Sequence, residues 1–159
     1  MSFSLAQINV AKAMAPMDDA LMADFVANLD PVNALAEAQD GFVWRLTGDG
    51  NDATDLQAFD DPSIIINMSV WRDMDSLASY VYRTDHRNVM RRRKEWFHEM
   101  EVSFALWWIP AGHRPTPQEG RERLERLMRD GPTPDAFTFR NPFPAPDALP
   151  VKPILETCE

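Results

Sequence analysis

Ile64-Ile65-Ile66-Asn67-Met68-Ser69-Val70-Trp71 decides the architecture of this chain. A run so rich in β-branched and aromatic residues, opening on three isoleucines, predicts a strand covered on both faces. Upstream, Phe3 to Val10 alternates Leu5, Gln7 and Asn9 with Ser4, Ala6, Ile8 and Val10, the period of a strand. Pro16-Met17-Asp18-Asp19 then opens a helix with acids suited to its positive end. Leu21, Met22, Phe25, Val26 and Leu29 recur at helical spacing and predict one apolar face. Asp30-Pro31 predicts a reset, with a short second helix through Ala38 that stops at Asp40-Gly41. Phe42 to Leu46 reads as a strand, and the acidic stretch from Gly48 to Pro62 as an exposed loop.

Downstream of the isoleucine strand, Asp73 caps a helix that turns Leu77, Tyr80 and Val81 inward. The pattern weakens at Arg83-Thr84-Asp85, which predicts a kink or a second cap, and resumes from His86 to about Phe97. Val102 to Ile109 is a further buried strand, closed by Pro110-Ala111-Gly112. Thr116-Pro117-Gln118-Glu119 is a helix start: Thr caps, Pro takes the first position and Glu can reach back as a capping box. Leu124, Leu127 and Met128 form that helix's narrow apolar stripe, and Gly131-Pro132 ends it. Ala136 to Phe139 predicts a short edge strand, and Pro142 to Pro153 an extended surface segment.

The element order is a β-α-β unit repeated, the ferredoxin-like α+β arrangement. Residues 1–140 are expected to form one domain, including the appended helix at 116–130, with 141–159 as a proline-rich tail. The antiparallel sheet has helices on one face, and the residues predicted for its other face are substantially apolar. A homodimer pairing sheet against sheet would cover them.

Composition narrows the function classes. The 159 residues suit a single domain, and 45% hydrophobic residues suffice for a core. A net charge of −9 argues against a nucleic-acid partner. Cys158, the one cysteine, allows no intrachain disulfide and stands at a poor place for a catalytic thiol. No apolar run is long enough to span a membrane, so a cytoplasmic protein is expected.

The richest chemistry falls between His86 and Phe97. On a helix, His86, Val89, Met90, Arg93 and Phe97 share one face. That face points at the core, where an Arg needs a partner. In the catalytic reading His86 moves a proton or holds a ligand while Arg93 meets an anion. In the structural reading His86 serves a helix kink and Arg93 snorkels outward. The run Arg91-Arg92-Arg93-Lys94 surrounds one turn and forms no flat basic stripe. Trp44, Trp96 and Trp107 are candidate walls for an aromatic ligand, with core packing as the alternative. Alternation sends Trp107 and Trp108 to opposite faces of their strand. His86, His98 and His113 lack metal-ligand spacing, and neither a phosphate-binding glycine loop nor a GxSxG motif occurs.

Several separate stretches resemble a bacterial family known as domain of unknown function 3291. They are Asn33 to Glu37 through Gly41 to Leu46, His86 through Glu95-Trp96-Phe97, Leu106-Trp107-Trp108 through Gly112 to Thr116, Gly131-Pro132-Thr133, and Ala136 to Phe139. The family looks like part of the dimeric α+β barrel superfamily, which includes antibiotic biosynthesis monooxygenases and haem-degrading enzymes. The resemblance implies a homodimer and a monooxygenase-like oxidoreductase needing no cofactor, acting on a small aromatic or anionic molecule between helices and sheet. A non-catalytic small-molecule sensor is the alternative. Haem is a lesser candidate ligand: Asn9 fits the strand Asn of the haem-degrading enzymes, but Tyr80 falls at their Trp and Met90 at their His, with His86 one turn earlier. The expected site is therefore His86 and Arg93 as catalytic groups, Asn9 and Tyr80 as polar pocket groups, and Trp44, Trp96 and Trp107 as walls.

Overall fold

The computed structural model describes residues 2–48, 52–54, 56–84, 90–100 and 102–147. Strand β1 runs Phe3–Ala13, helix α1 Ala23–Glu37, β2 Phe42–Arg45, β3 Ile64–Trp71 and α2 Met74–Arg83. Strand β4 is Phe97–His98, β5 is Phe104–Pro110, and helix α3 is Pro117–Asp130. β1 lies at the centre of one antiparallel five-stranded sheet. β3 flanks it on one side, with β2 beyond, and β5 and the short β4 share its other side. The two β-α-β units thus interleave as the sequence order predicts.

The register divides the sheet into two unlike faces. Leu5, Trp71 and Trp108 lie side by side, as do Gln7, Ser69 and Leu106, and then Asn9, Asn67 and Phe104. These three rows face α1 and α2. The alternate residues Ala6, Ile8, Val10, Ile66, Met68, Val70, Ala105 and Trp107 pack on the other side with Leu124 and Leu127 of α3. Gly120 brings α3 down onto them: a Cβ there would stand 2.8 Å from Ile8 Cδ1 and 3.0 Å from the Met68 tip. Ala53 and Ala58 join the same cluster, with Leu56 and Phe59 against it, so part of the segment expected to be an exposed loop caps this core. The apolar face for which a second chain was expected is covered by α3 within one chain.

Capping follows the sequence. Asp73 accepts from the Ser76 amide at 2.8 Å, and Thr116 from the Glu119 amide at 3.2 Å with Pro117 behind it. Three expectations change. The chain does not reset at Asp30-Pro31; α1 continues through Pro31. Pro31 and Ala27, whose carbonyl Pro31 cannot reach, are both exposed, so water can serve the orphaned acceptor. Leu21 and Val26 stay 50% and 39% exposed, and Met22 alone of the predicted stripe is fully buried. The edge strand at Ala136–Phe139 reduces to a bridge in which Leu106 and Phe137 exchange backbone hydrogen bonds of 2.8 and 2.9 Å.

The predicted helix from His86 to Phe97 lies outside the described residues at 86–89, is helical at Met90 and Arg91, and gives way before Phe97. α2 ends at Arg83, and the Thr84 hydroxyl donates back to the Tyr80 carbonyl at 2.5 Å. Arg93–Glu95 forms a 3-10 turn, and Phe97 enters β4 opposite Ala13. A strand pair 84 positions apart in the chain overrides the local helical spacing. Among the described residues no helix is long and apolar enough to cross a membrane.

Candidate functional site

The helix-facing side of the sheet carries an unusual polar ladder. Gln7 is only 4% exposed, yet its amide donates both hydrogens sideways, to Asn67 Oδ1 at 2.8 Å and to Ser69 Oγ at 2.7 Å. The indole of fully buried Trp71 donates to the same Ser69 oxygen at 2.8 Å. Ser69 Oγ is therefore filled as an acceptor and has its own proton to give. Gln7 Oε1 takes no donor from any described residue, and neither half of the Asn9 amide has a partner among them. Burying polar groups in an apolar sheet is costly unless they are bonded. The ladder bonds most of its groups to one another and ends at half-buried Asn9 and exposed Asn67, where solvent reaches it.

Its surroundings are set by the two helices. Tyr80 of α2 stacks on Trp71 with ring centroids 5.2 Å apart, and its hydroxyl donates to the Val32 carbonyl of α1 at 3.1 Å. Burial pushes the Tyr80 phenol above the ordinary tyrosine value, against the opposite pull of the Arg45 guanidinium. Arg45 lies opposite Ser69 on the neighbouring strand, its side chain 10% exposed, and pairs with Glu37 of α1 at 3.0 Å. Half-buried Phe104 adjoins Asn9 and packs on Phe139. A few polar groups beside an apolar wall is the usual make-up of a small-molecule site.

Asn9 and Tyr80 of the expected site lie on the same side of the sheet but apart, Tyr80 over Trp71 in the row of Leu5 and Asn9 two rows further along β1. Tyr80 holds α2 to α1 with its single proton. His86 lies outside the described residues, as does Cys158. Arg93 opens the 3-10 turn and is exposed, away from the core face on which it was expected, because the helix ends before it. The three tryptophans do not form one wall. Trp44 packs on the α3 side with Arg114 5.9 Å from its ring centroid. Trp107 is wholly buried on that same side. Trp96 belongs to a separate cluster with Ala13, Met22 and Phe25, under Arg92 at 4.8 Å.

Gln7, Ser69, Asn67 and Arg45 are absent from the sequence-derived site. The one signal for the first three was the polar residues at alternate positions of otherwise apolar strands. A second cluster also went unseen. Glu119 accepts from the Trp107 indole at 3.0 Å and pairs with His113 Nε2 at 2.7 Å, so its carboxylate does not reach back as the expected capping box. It fastens the turn after β5 to the sheet.

The family model for a domain of unknown function (DUF3291) matches residues 4–152, and the chain belongs to that family. A protein of unknown function from Nitrosomonas europaea aligns at 17% identity and a TM-score of 0.44, over 72% of this chain and 95% of its own. A candidate antibiotic biosynthesis monooxygenase from Chloroflexus aurantiacus aligns at 15% identity and a TM-score of 0.43, over 70% of this chain and 97% of its own. No curated protein matches the sequence.

Proposed function

We propose that this DUF3291 member binds a small aromatic molecule on the helix-facing side of its sheet, with a polar edge on the Gln7-Ser69-Asn67-Asn9 ladder and a flat body against Phe104. The observation that carries this reading is the Asn9 amide, half-buried and without a partner among the described residues, at the open end of a ladder in which the Gln7 amide nitrogen, the Asn67 and Ser69 oxygens and the Trp71 indole are bonded to one another. Ser69 and Gln7 fix the direction in which donors and acceptors point, so they act as orienting groups more than as acids or bases. Whether the site only binds or also oxygenates its ligand in the monooxygenase-like manner is a separate property, read by oxygen uptake.

Titration with 2-naphthol, followed by calorimetry, tests the reading. Wild-type protein should bind the probe, and Asn9→Leu should weaken it about tenfold, the worth of one buried hydrogen bond, with an unchanged melting temperature. Equal affinity in the variant would sink the proposal. Oxygen consumption during the titration identifies an oxygenase; binding without uptake identifies a sensor or carrier.

A further inference from the structure

The chain after α3 makes a strap over one corner of the helix-facing side. Phe137 exchanges two backbone hydrogen bonds with Leu106, at 2.8 and 2.9 Å. Phe143 returns to the same place: its carbonyl accepts from the Trp108 indole at 2.8 Å, and its ring centroid lies 5.9 Å from that of Phe137. Between these two legs, the backbone of residues 138–142 bonds to no strand or helix among the described residues. The Asn141 amide donates to the Thr138 hydroxyl at 3.3 Å and turns the tip. What holds the tip down is the Phe139 ring. It is 6% exposed and lies against Phe104, 5.4 Å between ring centroids, and Tyr82 of α2, 5.8 Å. The antiparallel bridge accounts for this: two residues beyond the Leu106–Phe137 pair, Phe139 falls opposite Phe104. Phe104 in turn is the β5 neighbour of Asn9.

We infer that Phe139 is a gate on the proposed site: its ring occupies the aromatic wall of Phe104, and an aromatic ligand binds by taking its place as the strap tip lifts. This rests on the reading that a ligand lies along the ladder with its flat body against Phe104. The two parts of the strap are unequally anchored. Its legs are fixed by hydrogen bonds and apolar packing, and they stay. Its tip is fixed by one side chain, whose release breaks no backbone hydrogen bond to the sheet. Exposing a single phenylalanine leaves the lifted form at about one molecule in a hundred. A ligand ring on Phe104 restores the contact that Phe139 gives up. The closed strap therefore lowers the apparent affinity by the same factor, about a hundredfold.

Calorimetric titration of 2-naphthol decides the matter, into wild type and Phe139→Ala, each with and without Asn9→Leu. Phe139→Ala should bind at least about tenfold tighter than wild type, and Asn9→Leu should weaken binding in both backgrounds. Affinity in Phe139→Ala equal to or below wild type, still sensitive to Asn9→Leu, makes Phe139 a fixed wall and overturns the gate. Tighter binding that ignores Asn9→Leu in the Phe139→Ala background shows the probe filling the hole left by the ring, and overturns it too. No binding by wild type, or indifference of wild type to Asn9→Leu, sinks the underlying site together with the gate. Should Phe139→Ala not fold, 4-fluorophenylalanine at position 139 of the otherwise wild-type chain serves instead. Its fluorine signal should gain a solvent-isotope shift on saturation with 2-naphthol, as the ring leaves Phe104 for water. An unchanged isotope shift at saturation contradicts the gate.

Discussion

The two faces of the sheet share strands and differ in every other respect. The face under α3 is a closed apolar interior in which Ala6, Ile8, Met68, Ala105 and Trp107 are completely buried. Trp107 to Glu119 to His113 fastens its rim and uses both carboxylate oxygens, and Arg121 donates to the Ala58 carbonyl at 2.9 Å. The face under α1 and α2 buries aromatic groups at one end and a polar ladder in the middle, and ends in amides with unused capacity. The contrast is one of polar capacity: the α3 face is apolar apart from its rim, and the helix-facing side carries the amides that the proposed ligand would meet.

Breaking the closed face should cost most. Trp107→Ala removes the largest fully buried side chain there and takes the indole donor from Glu119. Chemical denaturation should register a loss of about 4 kcal/mol, while probe binding by the refolded protein is unchanged. Gly120→Leu comes next, because any side chain there displaces α3 from Ile8 and Met68. Overpacking of this kind costs about 1–3 kcal/mol, and a melting temperature equal to wild type would mean α3 is not docked so closely. On the ladder, Ser69→Ala strips the acceptor from both Trp71 and Gln7. About 2 kcal/mol should go from stability, together with a shift in tryptophan fluorescence. Asn9→Leu should change stability by less than about 0.5 kcal/mol, since it breaks no bond in the unliganded chain.

The smallest expected effect is one of pH, on the loop that leads into β3. The Ser63 hydroxyl and amide, with Lys12 alongside, hold the Asp61 carboxyl down at about 2. A depressed carboxyl contributes stability above its ordinary value near 3.8, and that contribution is lost as pH falls towards 2. Asp61→Asn should flatten the acid limb of a melting-temperature profile slightly between those values and leave the neutral region alone. A profile that keeps its shape would show that Asp61 gains nothing from its neighbours.

Much of this contrast was legible in the residues. Alternation in Phe3 to Val10 and in Ile64 to Trp71 placed the central strands, and it put Trp107 and Trp108 on opposite faces. Thr116-Pro117 marked the start of α3. What local pattern could not show was which segment covers which face. The stripe of Leu124 and Leu127 announces an amphipathic helix without naming the sheet face that receives it. The stretch to Phe97 has helical spacing, yet its last residues are claimed by Ala13, far away in sequence. The ladder was missed for the same reason: Gln7 is joined to Asn67 and Ser69 across 60 and 62 positions. A lone polar residue in a strand looks outward-facing until its partners are known. Tyr80 was read as inward-facing from its spacing on an apolar helix face, and it is buried against Trp71; Asn9 was singled out through family resemblance.

The claim that the helix-facing side holds the ligand meets its most direct test in amide and indole resonances followed during titration with 2-naphthol. The side-chain amides of Asn9, Asn67 and Gln7 should shift together with a common affinity, while the Trp107 indole N–H on the closed face stays still. Movement of the Trp107 indole and the backbone of α3, with Asn9 unmoved, would place the ligand on the wrong side of the sheet and contradict the account.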